Sequence, residues 1–160
     1  MQAKKSKDSS VIMSQVMTPQ DANLAGNVHG GVIMKLIDNA AGVVAMRHAQ
    51  TNVVTASVDR MDFHFPVFIG DLVWFKASVN LVGRTSMEVG VRAEAENLKT
   101  REVRHTASAY LTLVALDDNG RPTTTPPLIL ETEDEIRRNR EAAIRRAARL
   151  REREAKKQTS

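Results

Sequence analysis

GNVHGGVIMKLIDNAAGVVAMRH, running from Gly26 to His48, decides how this chain reads. From Gly31 to Arg47 the pattern predicts a single helix of roughly 16 residues, apolar on almost every side, as a helix wrapped by other structure is. Val32, Ile33, Leu36, Ile37, Ala40, Val43 and Val44 share one broad face at helical spacing. Met34, Ala41 and Ala45 lie on the other side together with Asp38, while Lys35 and Asn39 mark a narrow polar strip. A carboxylate among small residues on a largely buried helix must be satisfied or used. Asp38 therefore either bonds a neighbouring chain or caps a loop, or it does chemistry.

Upstream, Thr18-Pro19-Gln20-Asp21-Ala22-Asn23, continuing through Gly26, Asn27 and Gly30-Gly31, is a loop by composition. Two glycines where a helix begins allow close approach to exposed backbone N–H donors, which at the positive end of the helix suit a developing oxyanion. The same pair also fits a tight turn that needs glycine for its backbone angles alone. Val11 to Met17 is a short strand or a turn of helix, and residues 1–10 are polar and expected to be a flexible N-terminus.

Downstream the period changes from helical to alternating. Thr51 to Phe65 is an extended run ended by Pro66, and Gly70-Asp71 turns the chain. In Leu72 to Leu81, Val73, Phe75, Ala77, Val79 and Leu81 point one way and Trp74, Lys76, Ser78 and Asn80 the other. After Gly83-Arg84-Thr85 the alternation resumes, with Met87, Val89, Val91, Ala93 and Ala95 inward and Glu88, Arg92 and Glu94 outward. Val103 to Leu116 is a further long strand, stopped by Asp117-Asp118-Asn119-Gly120. Long strands joined by short turns pair antiparallel, since parallel neighbours need crossover connections. One long apolar helix needs more cover than a flat sheet supplies, so the sheet is expected to curl around it. Outward Thr, Ser, Val and Tyr110 on the strands, with the small second side of the helix, predict an oligomer.

Residues 121–130 form a Pro/Thr-rich linker. Thr132 and Glu135 then make a capping box that opens a helix reaching roughly to Lys156, acidic at its start and basic later. Ile136, Ala143, Ile144, Ala147 and Leu150 give this helix only a thin apolar stripe, enough to pack lightly on the body or on another subunit. Its arginines read as a solvated face or as groups turned toward phosphates.

With 160 residues, 42% of them hydrophobic, the chain suits one domain with a real core. No apolar run reaches membrane-spanning length and no long apolar stretch follows the basic start, so neither a membrane span nor a secretory signal is expected. Cysteine is absent, which excludes disulfides and thiolate chemistry and leaves the cytoplasm as the default location. The net charge of +4 is unevenly placed: residues 137–157 hold ten Lys or Arg against three Glu, so the rest is slightly acidic. With one Trp and one Tyr, the basic residues are not interleaved with stacking groups, which argues against nucleic acid as a partner. His29, His48, His64 and His105 show no zinc-site spacing, and neither HExxH nor GxSxG occurs, so no metal is expected.

Taken together, Pro19 to Asn23, Gly26-Asn27-Val28-His29-Gly30-Gly31, Met34 to Asp38, Arg47-His48, Asn52 to Asp59, Gly70-Asp71 and Gly83 to Glu88 resemble the acyl-CoA thioesterase branch of the hotdog superfamily. The resemblance covers most of residues 11–130, which are expected to be the thioesterase domain, with 131–160 a charged helical extension. It implies an α+β hotdog fold with a long central helix wrapped by a curled antiparallel sheet. It also implies hydrolysis of acyl-CoA to free acid and coenzyme A without a cofactor, and double-hotdog dimers assembled as trimers of dimers. The family's catalytic asparagine falls on Asn23 and its catalytic acid on Asp38, the two supplied to one site by different subunits.

Within that frame Asp38 acts as general base on water or attacks the thioester itself, and Asn23 orients water or substrate. The N–H groups near Gly30 and Gly31 receive charge on the carbonyl oxygen. His29 contacts substrate or orients the loop. Candidates for the phosphates of coenzyme A are Arg84, Thr85 and Ser86 in a strand connection, Arg104 and His105 in a long strand, and Arg60. Met34, Met61, Phe63 and Phe65 line the acyl tunnel or belong to the core. The basic extension admits a nucleotide effector. The competing readings are a hydratase acting on acyl thioesters and a non-catalytic sensor of acyl-CoA or nucleotide.

Overall fold

The computed structural model describes residues 1–159. Helix α1 (Gly30–Ala49) begins where the His29 ring Nδ1 accepts from the Gly31 N–H at 2.9 Å, and ends at Gln50, whose φ of 56° is left-handed. It lies across one face of a five-stranded antiparallel sheet made of β2 (Val11–Val16), β3 (Asn52–Phe63), β4 (Leu72–Val82), β5 (Ser86–Glu96) and β6 (Val103–Leu116), in the order β2-β4-β5-β6-β3. The alternation expected of β4 and β5 holds through Val73, Phe75, Ala77 and Val79 and through Met87, Val89, Val91, Ala93 and Ala95, all buried against the helix. It breaks at the register shift after Val79, where Leu81 is only half-buried and Asn80 is buried. Antiparallel pairing runs in register through β4, β5 and β6, with single shifts near Val79 and Ala93.

The expected curled sheet, wrapping a helix enclosed on all sides, is not what forms. The sheet is open, because its edge strands β2 and β3 do not pair with one another. The physical reason lies in α1, which needs cover on one side only. Ile33, Ile37, Ala40, Ala41, Val44 and Ala45 are buried on the sheet, whereas Met34, Lys35, Asp38, Asn39, Met46 and Arg47 are exposed. Small inward residues, Ala77, Ala93, Ala107 and Ala109, let the helix nest closely on the strands, so its sheet-facing side is buried without further wrapping.

Residues 1–10, read as a loose polar start, carry the short strand β1 (Lys4–Lys5), which pairs parallel with β7 (Leu128–Ile129) from the Pro/Thr-rich segment. Ser6 and Ser9 are buried there. Lys4 Nζ donates to the His48 carbonyl at 2.8 Å, tying this start to the end of α1.

Helix α2 (Glu133–Thr159) opens with the expected capping box: the Glu135 N–H donates to Thr132 Oγ1, and the Thr132 N–H to Glu135 Oε2. It crosses the sheet face opposite α1. Its body-facing contacts are polar. Arg145 pairs with Glu88 at 2.7 Å, stacks its guanidinium 3.6 Å from the Tyr110 ring centre, and is joined by Asn139 to the Asn80 carbonyl and by Arg149 to Asp59. Of its apolar residues only Ala142 is buried.

Candidate active site

The loop ahead of α1 is tied down by its own backbone and by Asn23. The Asn23 N–H donates to the Asn27 carbonyl at 2.7 Å, and Val28 pairs with Val67 next to β4. Asn23 Oδ1 accepts from the backbone N–H groups of Ala25 at 2.9 Å and Asn27 at 3.1 Å. Two donors on one oxygen fix the amide's orientation, so the Nδ2 hydrogens are what Asn23 has left to offer. Asn23 and Gly30 line a cavity of about 310 Å³ whose other walls include Ile33, Phe63, His64 and Phe65.

At the helix start the two glycines differ. The Gly31 N–H is taken by the His29 ring, which places His29 as N-cap of α1. The Gly30 N–H makes no hydrogen bond among the described residues, and Gly30 lines the same cavity. Of the pair expected to receive an oxyanion, Gly30 alone therefore has a donor free.

Asp38 lies two turns farther along α1, on its exposed side. At 1.5 Å per residue, the eight steps from Gly30 carry it about 12 Å along the helix, and it does not line the cavity. Asn23 and Asp38 of one chain are thus not brought together. What Asp38 meets instead is Thr55 of β3, whose Oγ1 donates to Asp38 Oδ1 at 2.6 Å. Sequence reasoning missed Thr55 because it looks like one more position in an alternating strand; the only available signal was a hydroxyl among valines and alanines at an edge.

The candidates for phosphate contact divide between the two ends of α1. Near the Asn23 end, Arg104 donates to the buried Asp71 at 3.0 Å and lies over the Phe68 ring, while the His105 ring sits 5.0 Å from that of His64. His105 Nε2 lies 2.7 Å from Ser108 Oγ; burial first, and Arg92 next, hold this imidazole below its ordinary pKa. Arg84, Thr85 and Ser86 form the β4–β5 turn at the opposite end, where Thr125 Oγ1 donates to the Gly83 carbonyl and His48 bonds Pro126. Arg60 is exposed on β3 and pairs with Asp62 at 2.9 Å. Met34 and Phe65 are exposed, Met61 is half-buried, and Phe63 stands 49% exposed at the cavity mouth.

Two other observations bound the chemistry. Among the described residues no group of three His, Asp or Glu side chains could hold a metal ion. No helix among them is long and apolar enough to cross a membrane. A larger cleft of about 820 Å³ lies under α2 on the far sheet face, but its Lys76 and Arg92 share Glu94, and it holds neither Asn23 nor Asp38.

Known proteins match this arrangement over nearly the whole chain. The model of the Thioesterase superfamily matches residues 25–102. Protein VdlD of Helicobacter pylori is 43% identical over 141 residues, which is 88% of this chain and 80% of that protein. The crystal structure of an apo-hexameric acyl-CoA thioesterase superposes with a TM-score of 0.91 at 37% identity, covering 95% of this chain and 97% of that one. The acyl-CoA hydrolase of Staphylococcus aureus, solved with butyryl coenzyme A, coenzyme A and coenzyme A disulfide, superposes at 0.90 with 36% identity, covering 98% and 96%. Single alanine variants of that hydrolase have also been solved, at an asparagine, an aspartate and a threonine. The three stand at the same sequence spacing as Asn23, Asp38 and Thr55 here. This chain belongs to the hotdog-fold acyl-CoA thioesterase family.

Proposed function

We propose that the protein hydrolyses acyl-CoA thioesters to a free carboxylic acid and coenzyme A, with residues 11–130 as the hydrolase and a charged C-terminal extension carrying α2 appended to it. The observation that carries the assignment of groups is the 2.6 Å bond from Thr55 to Asp38. It occupies one carboxylate oxygen and leaves the other, on an exposed helix face, to take a proton from water or to attack carbon. In the first route the water oxygen bonds the thioester carbon, the C–S bond breaks, and the departing thiolate takes up the proton. A thiolate is a weak enough base to leave without strong acid assistance.

Asn23 has its acceptor occupied and its donor free, which suits the thioester carbonyl oxygen better than a water to be deprotonated. The Gly30 N–H is a second donor at the same cavity, reinforced by the positive end of α1. Because Asn23 lines the cavity and Asp38 of the same chain does not, the site is completed by a second copy, Asn23 of one subunit working with Asp38 of the next. The free edge of β3, 12 residues long with Val54 and Val58 exposed, is the place for that copy to join. The hexameric relative supports a trimer of such dimers. In a dimer with the edges antiparallel, the Arg84-Thr85-Ser86 end of one chain comes near the Asn23 cavity of the other, within reach of coenzyme A phosphates. A cytoplasmic location goes with this reading, since coenzyme A thioesters are intracellular metabolites.

The test is thiol release from acyl-CoA substrates of graded chain length, comparing the native chain with Asp38→Asn at matched oligomeric state. Turnover of at least one length class, lost in the variant while acyl-CoA binding persists, is expected. Binding without turnover by the native chain would replace the hydrolase with a sensor.

A further inference from the structure

Helix α2 is built the wrong way round for a helix that merely covers a sheet. The side docked on the body carries Arg138, Asn139, Ala142, Arg145 and Arg149, and its contacts to Ser78, Asn80, Glu88, Tyr110 and Asp59 are polar. The opposite side carries Ile136, Arg140, Ala143, Ala147, Leu150 and Glu154, all exposed. These six alternate at steps of four and three residues, the a/d seam of a coiled coil. Ile136 and Leu150 are 44% and 47% exposed, and Ile144, flanking the seam, is 64% exposed.

We propose that this seam pairs with α2 of a second copy of the chain, antiparallel, about a two-fold axis passing between Ala143 and Ala147. Charge selects the direction. The two polar seam residues, Arg140 and Glu154, have no ionic partner among the described residues. In a parallel pair each would face its own like charge, whereas the antiparallel pair brings Arg140 of one copy within reach of Glu154 of the other. The same arrangement lays the acidic first turn, Glu133, Asp134 and Glu135, beside the basic last turn containing Lys156 and Lys157. At the centre Ala143 packs on Ala147, small enough for close approach, and Ile144 meets Ile144 beside them. Arg146, the cation nearest the axis, is turned away: its guanidinium lies at Gly83 on the body. Such a contact is isologous and closes on itself. It does not depend on the proposed hydrolysis.

The chain has no cysteine, so introduced thiols report cleanly. Chains carrying Ala143→Cys and Ala147→Cys are co-expressed, kept reduced, and then mildly oxidised at micromolar concentration. A 143-to-147 disulfide between chains is expected to form on the order of a hundredfold faster than between Ala143→Cys and a control Asn119→Cys, because a docked pair has a local concentration near millimolar. Adding Leu150→Glu and Ile144→Glu to the first pair is expected to bring it down to the control rate. Crosslinking no faster than the control, in variants whose circular dichroism and melting match the parent, would overturn the pairing.

Discussion

Thr55 Oγ1 donates to Asp38 Oδ1 at 2.6 Å, and this one bond joins an edge strand to the exposed side of the central helix. Hydrogen bonds to an ionised carboxylate are shorter and stronger than neutral ones, so the bond both aims the carboxylate and holds it in one rotamer. The proposed chemistry depends on that aim more than on the fold's stability, because in the single chain Asp38 is exposed and Thr55 only half-buried, outside the core. Thr55→Ala is therefore expected to lower kcat by about tenfold to a hundredfold, the equivalent of a bond of about 1.5–3 kcal/mol, with melting nearly unchanged. Thr55→Ser, which keeps the hydroxyl, should restore most of the rate. Steady-state kinetics on one acyl-CoA substrate distinguish the two variants. Equal losses in both would show that the methyl group's packing, not the hydroxyl, is what matters.

Asn23 gives a sharper contrast. In Asn23→Asp the side chain still accepts from the Ala25 and Asn27 N–H groups that shape the loop, but the Nδ2 donor is gone. Removing one donor to a developing oxyanion typically costs about 3 kcal/mol, so kcat is expected to fall by roughly two to three orders of magnitude. The melting temperature should stay within a degree or two of the native value. A variant that keeps its rate would remove Asn23 from the carbonyl and leave it as a loop former.

Helix α1, the inward alternation of β4 and β5, and the capping box at Thr132 were all legible in the sequence, because each is set by residues close together in the chain. What the sequence did not disclose depends on partners far apart. Alternation says which side chains face the core, not whether edge strands close on each other, and so the open sheet was read as curled. Glu88 looked like an outward, solvated residue until α2 covered that face and paired Arg145 with it. The parallel pairing of Lys4–Lys5 with Leu128–Ile129 spans two residues, too few to show any period. At the site, Asn23 and Asp38 were identified from the resemblance, but that His29 occupies the Gly31 N–H, leaving Gly30, is a matter of ring orientation that residue types do not carry.

The docking of α2 rests on one deeply placed ion pair. The Glu88 side chain is 2% exposed and accepts from Arg145 and from Asn80 Nδ2 at 3.1 Å. Breaking a buried pair by removing one partner costs about 3–5 kcal/mol, since the remaining charge is stranded. Glu88→Ala is thus expected to lower the melting temperature by on the order of 10 °C and to expose α2 to proteolysis after its arginines. Gly90→Ala acts on the same network from below, because a Cβ there would stand 2.7 Å from Asn80 Nδ2. Limited trypsin digestion followed by mass measurement reads both. Cleavage confined to the loops would show that α2 stays docked without Glu88.

His48 makes the fold sensitive to acid in a definite window. Its ring is fully buried, Nε2 donates to the Pro126 carbonyl at 2.8 Å, and Nδ1 has no partner among the described residues. Burial, chiefly, and Lys4 as a lesser influence hold the imidazole below its ordinary value of 6.5, against the opposing effect of the Pro126 bond. The unfolded chain therefore binds a proton at this residue before the folded chain does. Its contribution is fully present above about pH 6.5 and is lost as the pH falls from there through the depressed folded value. His105, also depressed, adds to the same slope, while Glu94, held below its ordinary 4.5 mainly by Lys76, acts only in stronger acid. Melting temperatures between pH 7.5 and 5 are expected to decline for the native chain and to decline less steeply for His48→Gln, whose amide can still donate to Pro126 but does not titrate. Parallel slopes for the two proteins would assign the acid sensitivity to His105 or to another group.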